Sequence, residues 1–455
     1  MKKDNTYLFE EMLVSRSVIS LVVPTVISQM ITVIYNVADT YFIGSLNDPD
    51  QVAAASVALP VFVLLTSIAN LFGIGGASLM ARCMGAGDRD KASRAASFAV
   101  WTGAATAFAY GLLILLCRSF LLPAIGANGG TFAYCYKYVF WAVTVGAVPT
   151  VASTVLSHLV RAEGYSGQAS AGMALGGILN IVLDPLFITV FGLEIEGAAI
   201  ATMLSNAASL IFFLIVLFRR RESSVAIPVL GNYTIDEHIP REVMLVGLPS
   251  CFMMLMGVAS NIVVNTLMAS YCNEAVAGIG IAKKVDLLAY AIATGMSQGV
   301  LPLIAYNYSA RNYMRMRRSV IITFLYSLTV SALGTVFLFT CAGPIVRAFI
   351  DDPLTVEYGS LFQRIMCTTS ICISVTMIII TLFQAVGEKT KPTVLSMLRK
   401  GLLDIPAMYI MNAVSGVEGI AWAVPIADVG AMTAAVLFFI PFWKRLKEEE
   451  LLVQT

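Results

Sequence analysis

"EIEGAAIATMLSN", residues 194–206, returns in altered form as "GVEGIAWAVPIAD" at residues 416–428. Two further pairs of segments are similar at nearly the same distance: 161–169 with 384–392, and 78–94 with 302–318. The three separations are 222, 223 and 224 residues. Agreement between them indicates one long internal repeat, so the chain is built from two halves of the same design.

The segments around these motifs are apolar. The chain is 58% hydrophobic and 13% charged, about half the charged share of a soluble protein, which is roughly 25%. Twelve segments reach the roughly 20 residues needed to cross a bilayer: 16–44, 52–81, 94–118, 132–158, 167–192, 196–219, 242–270, 275–306, 318–343, 357–386, 391–414 and 419–443. The pattern predicts an all-α polytopic membrane protein with twelve transmembrane helices.

The repeat divides these helices into two pseudo-symmetric six-helix lobes. We predict an amino-terminal lobe at 1–221, an inter-lobe loop at 222–241 and a carboxy-terminal lobe at 242–455. Six is an even number, so both lobes have the same orientation and are related by an axis along the membrane normal, as in transporters with parallel repeats. Two such lobes are suited to alternating access.

Basic residues predict the orientation. One set of connections, with the two termini, carries 21 Lys and Arg residues, including Lys2 and Lys3, and the opposite set carries only Arg118, Lys137 and Arg347. The positive-inside rule places the basic set, and both termini, in the cytoplasm. We therefore expect a multi-pass protein of the bacterial cytoplasmic (inner) membrane.

Carboxylates inside the apolar segments are the candidate functional residues. Asp39 interrupts "MITVIYNVADTYFIGSL" (30–46) on the first helix, although a charge at a helix centre costs roughly 2.5–3.5 kcal/mol. On the fifth helix Asp184 precedes Pro185, and Asn180 lies one turn before it on the same face.

The sixth helix adds Thr202, with Ala198 one turn earlier. All the polar groups of this set are oxygen ligands, the type that hard cations require, so we predict a cation site in the amino-terminal lobe. The alternative interpretation of Asn180 and Thr202 is that they satisfy neighbouring backbone groups.

Five motifs in collinear order resemble the multidrug and toxic compound extrusion (MATE) family, and most closely its bacterial MepA-type branch: "ITVIYNVADTYFIG", "GIGGASLMARCMGAGDRDKA", "LNIVLDP", "EGAAIATMLSN" and "QGVLPLIAYNYSA". The resemblance implies twelve helices in two lobes and export of organic cations and amphipathic drugs against inward H⁺ or Na⁺. It also implies that the cation site consists of Asp39, Asn180, Asp184 and Thr202, and that the first helix bends at Pro24.

The chain departs from some members of that family, which carry acidic residues on helices 7 and 10. Here "GVASNIVVNTLMASY" of helix 7 offers Asn261 and Asn265 without a carboxylate, and "TTSICISVTMIIITLFQAV" of helix 10 has none either, so we expect ion coupling in the amino-terminal lobe alone. Helix 7 is also rich in methionine, including Met268, and flexible methionine adapts to varied ligands. The predicted substrate-cavity residues are Gln29, Tyr35, Asn36, Met253, Met256, Asn261 and Asn265. An ordinary packing role is the alternative for the methionines.

Other intramembrane charges are interpreted as pairs that stabilise the lobe, with a role in substrate handling or gating as the alternative for the first three. They are Lys283, Lys284 and Asp286 on helix 8, Arg399, Lys400 and Asp404 on helix 11, and Asp428 and His158.

The rival functions are a lipid-linked saccharide flippase of the same superfamily and a polytopic enzyme. A flippase favours a cationic cleft rather than an acidic pair. No metalloprotease, serine-hydrolase or P-loop motif occurs, and the chain has only two histidines. We therefore expect a monomeric secondary transporter, not an enzyme, whose partners are small-molecule drugs, organic cations and membrane lipid rather than nucleic acid. It needs no cofactor beyond the coupling H⁺ or Na⁺.

Overall fold

The computed structural model describes residues 6–46, 48–236 and 238–454. Lys2 and Lys3 of the charge count lie outside the described residues. Within the described part the chain forms helices joined by short connections, with no strand. The all-α prediction is therefore confirmed.

Twelve spans follow in chain order, numbered here α1 to α12: Val14–Gly44, Pro49–Gly85, Arg89–Ala124, Phe132–Val145 with Ala147–Ala162, Ser166–Val190, Glu194–Arg219, Ile239–Ala269, Asn273–Ser309, Tyr313–Thr340, Pro353–Cys367 with Ser370–Ala385, 390–415 and 417–454. The helices from Thr390 to Leu452 cover 63 residues, about 95 Å at ~1.5 Å per residue. A bilayer core is only ~30 Å thick, so this length makes two spans.

The division between α11 and α12 lies at Gly416. Its φ of 60° and ψ of −136° are not helical and belong to a region that favours glycine. Breaks of a different kind, without positive φ, bend α4 by 48° at Gly146 and α10 by 45° at Thr368 and Thr369. These are the fourth helices of the two halves, so the repeat extends to the bends within its helices.

The chain forms two compact units, and the start of the first helix belongs to the second of them. The amino-terminal unit contains residues 27–251, and the carboxy-terminal unit contains residues 6–26 and 252–454. The lobes predicted from the repeat, 1–221 and 242–455, stay a prediction. The boundaries between the two observed units lie within α1, between residues 26 and 27, and within α7, between residues 251 and 252. Pro24 lies three residues before the first residue after the boundary in α1, and Pro249 lies three residues before the first residue after the boundary in α7.

Glycines allow the first half of α7 to pack closely on α2, and the first half of α1 to pack closely on α8. In the amino-terminal unit a Cβ on Gly75 would lie 2.0 Å from the Val243 carbonyl oxygen, and one on Gly247 would lie 1.9 Å from that of Leu71. In the carboxy-terminal unit Gly295 and Gly299 of α8 pack on α1 in the same way, with 2.7 Å to the Cα of Val26 and 2.8 Å to that of Val22. Any larger residue at these positions forces the two backbones apart.

The connection between α6 and α7 is fixed to the amino-terminal unit. Glu163, at the end of α4, accepts hydrogen bonds from the Ser224 hydroxyl and from the backbone N–H groups of Val225 and Ala226. Further along, Trp101 Nε1 donates to the Pro228 carbonyl oxygen at 3.1 Å. Residues 224–228 of the connection are therefore held on this unit.

Candidate functional site

The central residues of the predicted cation site lie on the last regular turns of α5. Asn180 Nδ2 donates to Asp184 Oδ1 at 3.3 Å, as the spacing of four residues predicts. Both side chains are buried, with Asp184 completely enclosed. Pro185 lacks an N–H, and the helix widens into a π-turn over Leu186–Val190. The carboxylate thus lies two residues before the helix changes its geometry at Leu186.

Small residues bring α6 to this face of α5. A Cβ on Gly176 would lie 2.3 Å from Ser209 Oγ and 3.2 Å from the Ser205 carbonyl oxygen, so a larger residue here would crowd α6. At this distance Thr202 Oγ1 accepts a hydrogen bond of 3.4 Å from Asn180 Nδ2. Ala198, one turn earlier on α6, is fully buried. The structure therefore brings together the α5 and α6 members of the predicted set.

The second half of α1 approaches a different side of α5, at the next residue, Gly177. A Cβ on Gly177 would lie 2.8 Å from Ile31 Cγ2 and 3.0 Å from Tyr35 Cδ1. One turn beyond Tyr35, Asp39 is partly buried and interacts electrostatically with Asp184. Three helices of one unit therefore contribute to a common polar cluster.

The cluster contains more oxygen acceptors than donors. Buried oxygens of three members have no hydrogen-bond partner among the described residues: Asp39 Oδ1, Asn180 Oδ1 and Asp184 Oδ2. Among the described residues, neither aspartate forms an ion pair with a Lys, Arg or His side chain. Buried carboxylates without a counter-charge are strongly unfavourable, so this donor set fits a bound proton or a hard cation such as Na⁺.

Tyr138 was missed by the sequence analysis. It lies on the first part of the bent helix α4, is 9% exposed, and is near both Asp39 and Asp184. Its signal in the sequence is the aromatic run "YCYKYVFW" (134–141), where a polar hydroxyl ends an apolar side chain. Without the fold, nothing in that run distinguishes Tyr138 from its neighbours.

The predicted substrate-cavity residues fall into two groups. On α1, Asn36 is exposed, whereas Gln29 and Tyr35 are partly buried. On α7, the Tyr290 hydroxyl donates to the sulfur of Met253 at 3.3 Å. Asn261 and Asn265 are the exposed members of the predicted set on this helix. Met268 is fully buried in an apolar core with Val264 and Ile279, so it is a packing residue. Whether the other residues contact substrate stays a prediction.

The remaining intramembrane charges are partly paired. Arg399 Nε and Asp428 Oδ1 form a buried ion pair of 2.8 Å, and Lys400 Nζ lies 4.0 Å from Asp404 Oδ2. His158 packs against Gly73, where a Cβ would lie 2.6 Å from its ring. Lys284 is exposed. These positions agree with stabilising roles for the Arg399–Asp428 pair and for His158.

Two segments of the chain, 24–186 and 249–410, match the MatE family model. They are the two halves of the repeat, and together they cover more than half of the chain. The chain belongs to the MatE family. Members of this family are membrane transporters, which excludes the enzyme alternative.

Curated relatives and solved structures agree with this assignment. The chain is 30% identical to the multidrug export protein MepA of Staphylococcus aureus (strain MSSA476) over 96% of both proteins. It is 29% identical to MepA of Staphylococcus saprophyticus, again over 96% of both. A crystal structure of MATE in complex with MaL6 superposes with a TM-score of 0.91 at 23% identity, covering 99% of this chain and 100% of the other.

An outward-facing multidrug resistance MATE family transporter of the MOP superfamily gives a TM-score of 0.89 at 23% identity, covering 99% of each chain. At these identities the structures establish the fold. The predicted twelve-helix MatE architecture is therefore confirmed.

Proposed function

We propose that this MatE protein is a cation-coupled antiporter that exports cationic and amphipathic drugs by alternating access. The observation that carries the proposal is the acidic cluster of Asp39, Asn180 and Asp184, with three buried acceptor oxygens that no group in the described part of the chain satisfies. The names of the MepA relatives, multidrug export proteins, support drugs as the transported class.

Charge neutralisation is the proposed driving step. Two interacting carboxylates in a low-dielectric site cannot both remain ionised at low cost, so one binds a proton or a Na⁺ ion neutralises them together. Thr202 Oγ1 and the Asn180 amide oxygen complete the set of oxygen ligands for Na⁺. A proton needs only one of the two carboxylates, and Asn180 holds Asp184 in place for it.

Coupling requires the ion to prefer one conformation over the other. We assign that preference to α1, because Asp39 and Tyr35 lie on the same helix, one turn apart. Neutral Asp39 no longer needs contact with water, so α1 can bend at or above Pro24 and reduce the cavity of the amino-terminal lobe. The bound drug then loses its space and leaves to the outside.

The topology proposed with this mechanism follows the charge distribution. Both termini lie in the cytoplasm, the protein spans the bacterial inner membrane, and one chain acts alone within the lipid. A flippase for lipid-linked saccharides remains the alternative function. The acidic cluster disfavours it, because an anionic lipid phosphate is repelled by two aspartates.

Purified protein in liposomes tests the proposal directly. An outward-directed ethidium flux is expected when an inward H⁺ or Na⁺ gradient is imposed, and the ion whose gradient drives that flux is the coupling ion. Failure of both gradients to drive any of several cationic dyes, in vesicles where the protein is correctly inserted, would exclude a cation-coupled drug antiporter.

A further inference from the structure

The start of the described chain forms a short helix, Thr6–Glu10, that is attached to the end of α8. The Phe9 ring is completely buried and stacks on the ring of Tyr306, with 4.8 Å between the ring centroids and 14° between their planes. The Tyr306 hydroxyl donates to Glu10 Oε1 at 2.6 Å, and Asn307 Nδ2 donates to the Phe9 carbonyl oxygen at 3.2 Å. Two consecutive residues of α8 therefore hold two consecutive residues of the short helix.

Arg315, in the first turn of α9, connects this short helix to the start of α1. Its guanidinium donates to four oxygens at distances of up to 3.2 Å: the carbonyl oxygens of Leu8, Phe9 and Met12 and the hydroxyl of Ser17. The last carbonyls of a helix have no intrahelical donor and carry partial negative charge, so a guanidinium there forms charge-assisted hydrogen bonds. The Ser17 hydroxyl in turn donates to the Leu8 carbonyl oxygen at 2.9 Å. We call Tyr306, Asn307 and Arg315 the amino-terminal clamp.

The first half of α1 has a second attachment to α8, at Gly295 and Gly299. A Cβ on these glycines would lie 2.7 Å and 2.8 Å from the Cα atoms of Val26 and Val22, respectively. Residues 6–26 are therefore held at both ends within the carboxy-terminal unit. Because its first half is held at two places, α1 has little freedom to slide or rotate as one body. A displacement of its second half must be taken up by bending near Pro24, which removes one backbone hydrogen bond from the helix.

We propose that Arg315 is a positioning residue for ion coupling, because it holds the start of α1 while the second half of that helix responds to neutralisation of Asp39. The inference rests on the proposed function and adds to it the fixed point against which α1 bends. With the clamp intact, neutralisation of Asp39 alters the shape of α1. Without the clamp, the start of α1 shifts instead, so ion and drug still bind but no longer weaken each other's binding. In this role Arg315 acts through α1 alone.

Ethidium binding tests the coupling role. Its affinity is measured by fluorescence anisotropy on purified full-length protein in detergent, with and without Na⁺ and at two pH values. In the wild type the affinity should fall about 5- to 150-fold on addition of the coupling ion, whereas in Arg315→Met it should fall less than about twofold. The affinity without the ion should stay near that of the wild type, a combination that a general loss of stability does not produce.

Two further variants make the binding test decisive. Arg318→Met, at an exposed position one turn further along α9, is the matched control and should keep the wild-type ratio of affinities. Phe9→Ala weakens the clamp from the short helix and should lower the ratio as Arg315→Met does, so the test stands even if one variant fails to fold. A wild-type ratio in Arg315→Met, or an equal loss in Arg318→Met, would overturn the proposal. A wild type whose ethidium affinity responds to neither ion would refute the coupling mechanism and the proposal with it.

Spin labels test the fixed start of α1 without any need for transport or drug binding. Leu13→Cys and Leu325→Cys place labels at two exposed positions, beside the start of α1 and on α9, in a variant whose native cysteines are replaced by Ala. Double electron–electron resonance should give one narrow distance that is the same at each pH and Na⁺ concentration, and Arg315→Met should broaden or shift it. A distance that moves with the ion in the otherwise unchanged protein, or the same narrow distribution in Arg315→Met, would overturn the clamp. Failure of both gradients to drive dye efflux would contradict the proposed function, whereas these distances do not depend on it.

Discussion

At the scale of single residues, the free-energy cost of placing the charged Asp39 in a membrane helix has a function if the charge state of Asp39 controls conformation. Replacing Asp39 or Asp184 with Asn keeps the size of the side chain and removes the ionisable group. We expect energised dye efflux to fall to background in either variant, while gel filtration and circular dichroism remain normal. Asp90→Asn, at the exposed start of α3, is the control and should transport normally. Normal efflux by Asp39→Asn would show that coupling resides elsewhere.

At the scale of helices, glycines hold α1, α5 and α6 close enough to form the acidic cluster. Gly177→Ala adds a methyl group that would lie 2.8 Å from Ile31 Cγ2, so it should displace α1, lower the thermal unfolding midpoint and reduce efflux. Gly167→Ala is the matched control on α5, because a Cβ there meets nothing within 4 Å. It should be neutral or stabilising by up to ~1 kcal/mol from helix propensity. Similar effects of both changes would contradict a specific α1–α5 contact.

The ordered connection after α6 gives a second prediction at this scale. Glu163→Ala leaves the buried backbone N–H groups of Val225 and Ala226 without acceptors, at a cost of roughly 1–3 kcal/mol each. Trypsin should then cleave at Arg220 and Arg221 several times faster than in the wild type. Glu163→Gln keeps the carbonyl oxygen that accepts from both N–H groups, so its cleavage rate should stay near that of the wild type. Equal rates in all three proteins would show that Glu163 does not hold the connection.

At the scale of the whole molecule, coupling is a thermodynamic statement about drug and ion. If neutralisation of Asp39 favours the conformation that releases drug, then drug and ion weaken each other's binding by the same factor. Drug affinity in detergent should fall about 5- to 150-fold on acidification or on addition of Na⁺, the usual range of coupling energies. Asp39→Asn should bind drug with little dependence on either. Unchanged affinity in the wild type would refute the mechanism even if Asp39 proves essential.

The features that depend on local spacing could be predicted from the sequence. Span length identified the helices, and the four-residue spacing of Asn180 and Asp184 placed them on one face of α5. Tertiary packing escaped prediction for a physical reason, because periodicity describes one helix and not its neighbours. The Gly295 and Gly299 contacts that attach the first half of α1 to α8 are an example, as are the location of Tyr138 and the burial of Met268. Wide π-turns also lack a clear sequence signature.

The boundary between the two units within α1 has a consequence for the synthesis of the protein. Residues 6–26 are among the first to be made, yet the glycines that receive them, Gly295 and Gly299, follow about 270 residues later. At ~5–20 residues per second, this interval is about 15 to 50 seconds. During that time the first half of α1 is in the membrane without its permanent neighbour. Conversely, the amino-terminal unit is completed only when residues 239–251, in the first half of α7, have been made. This unit therefore cannot finish folding before the ribosome has begun the second half of the repeat.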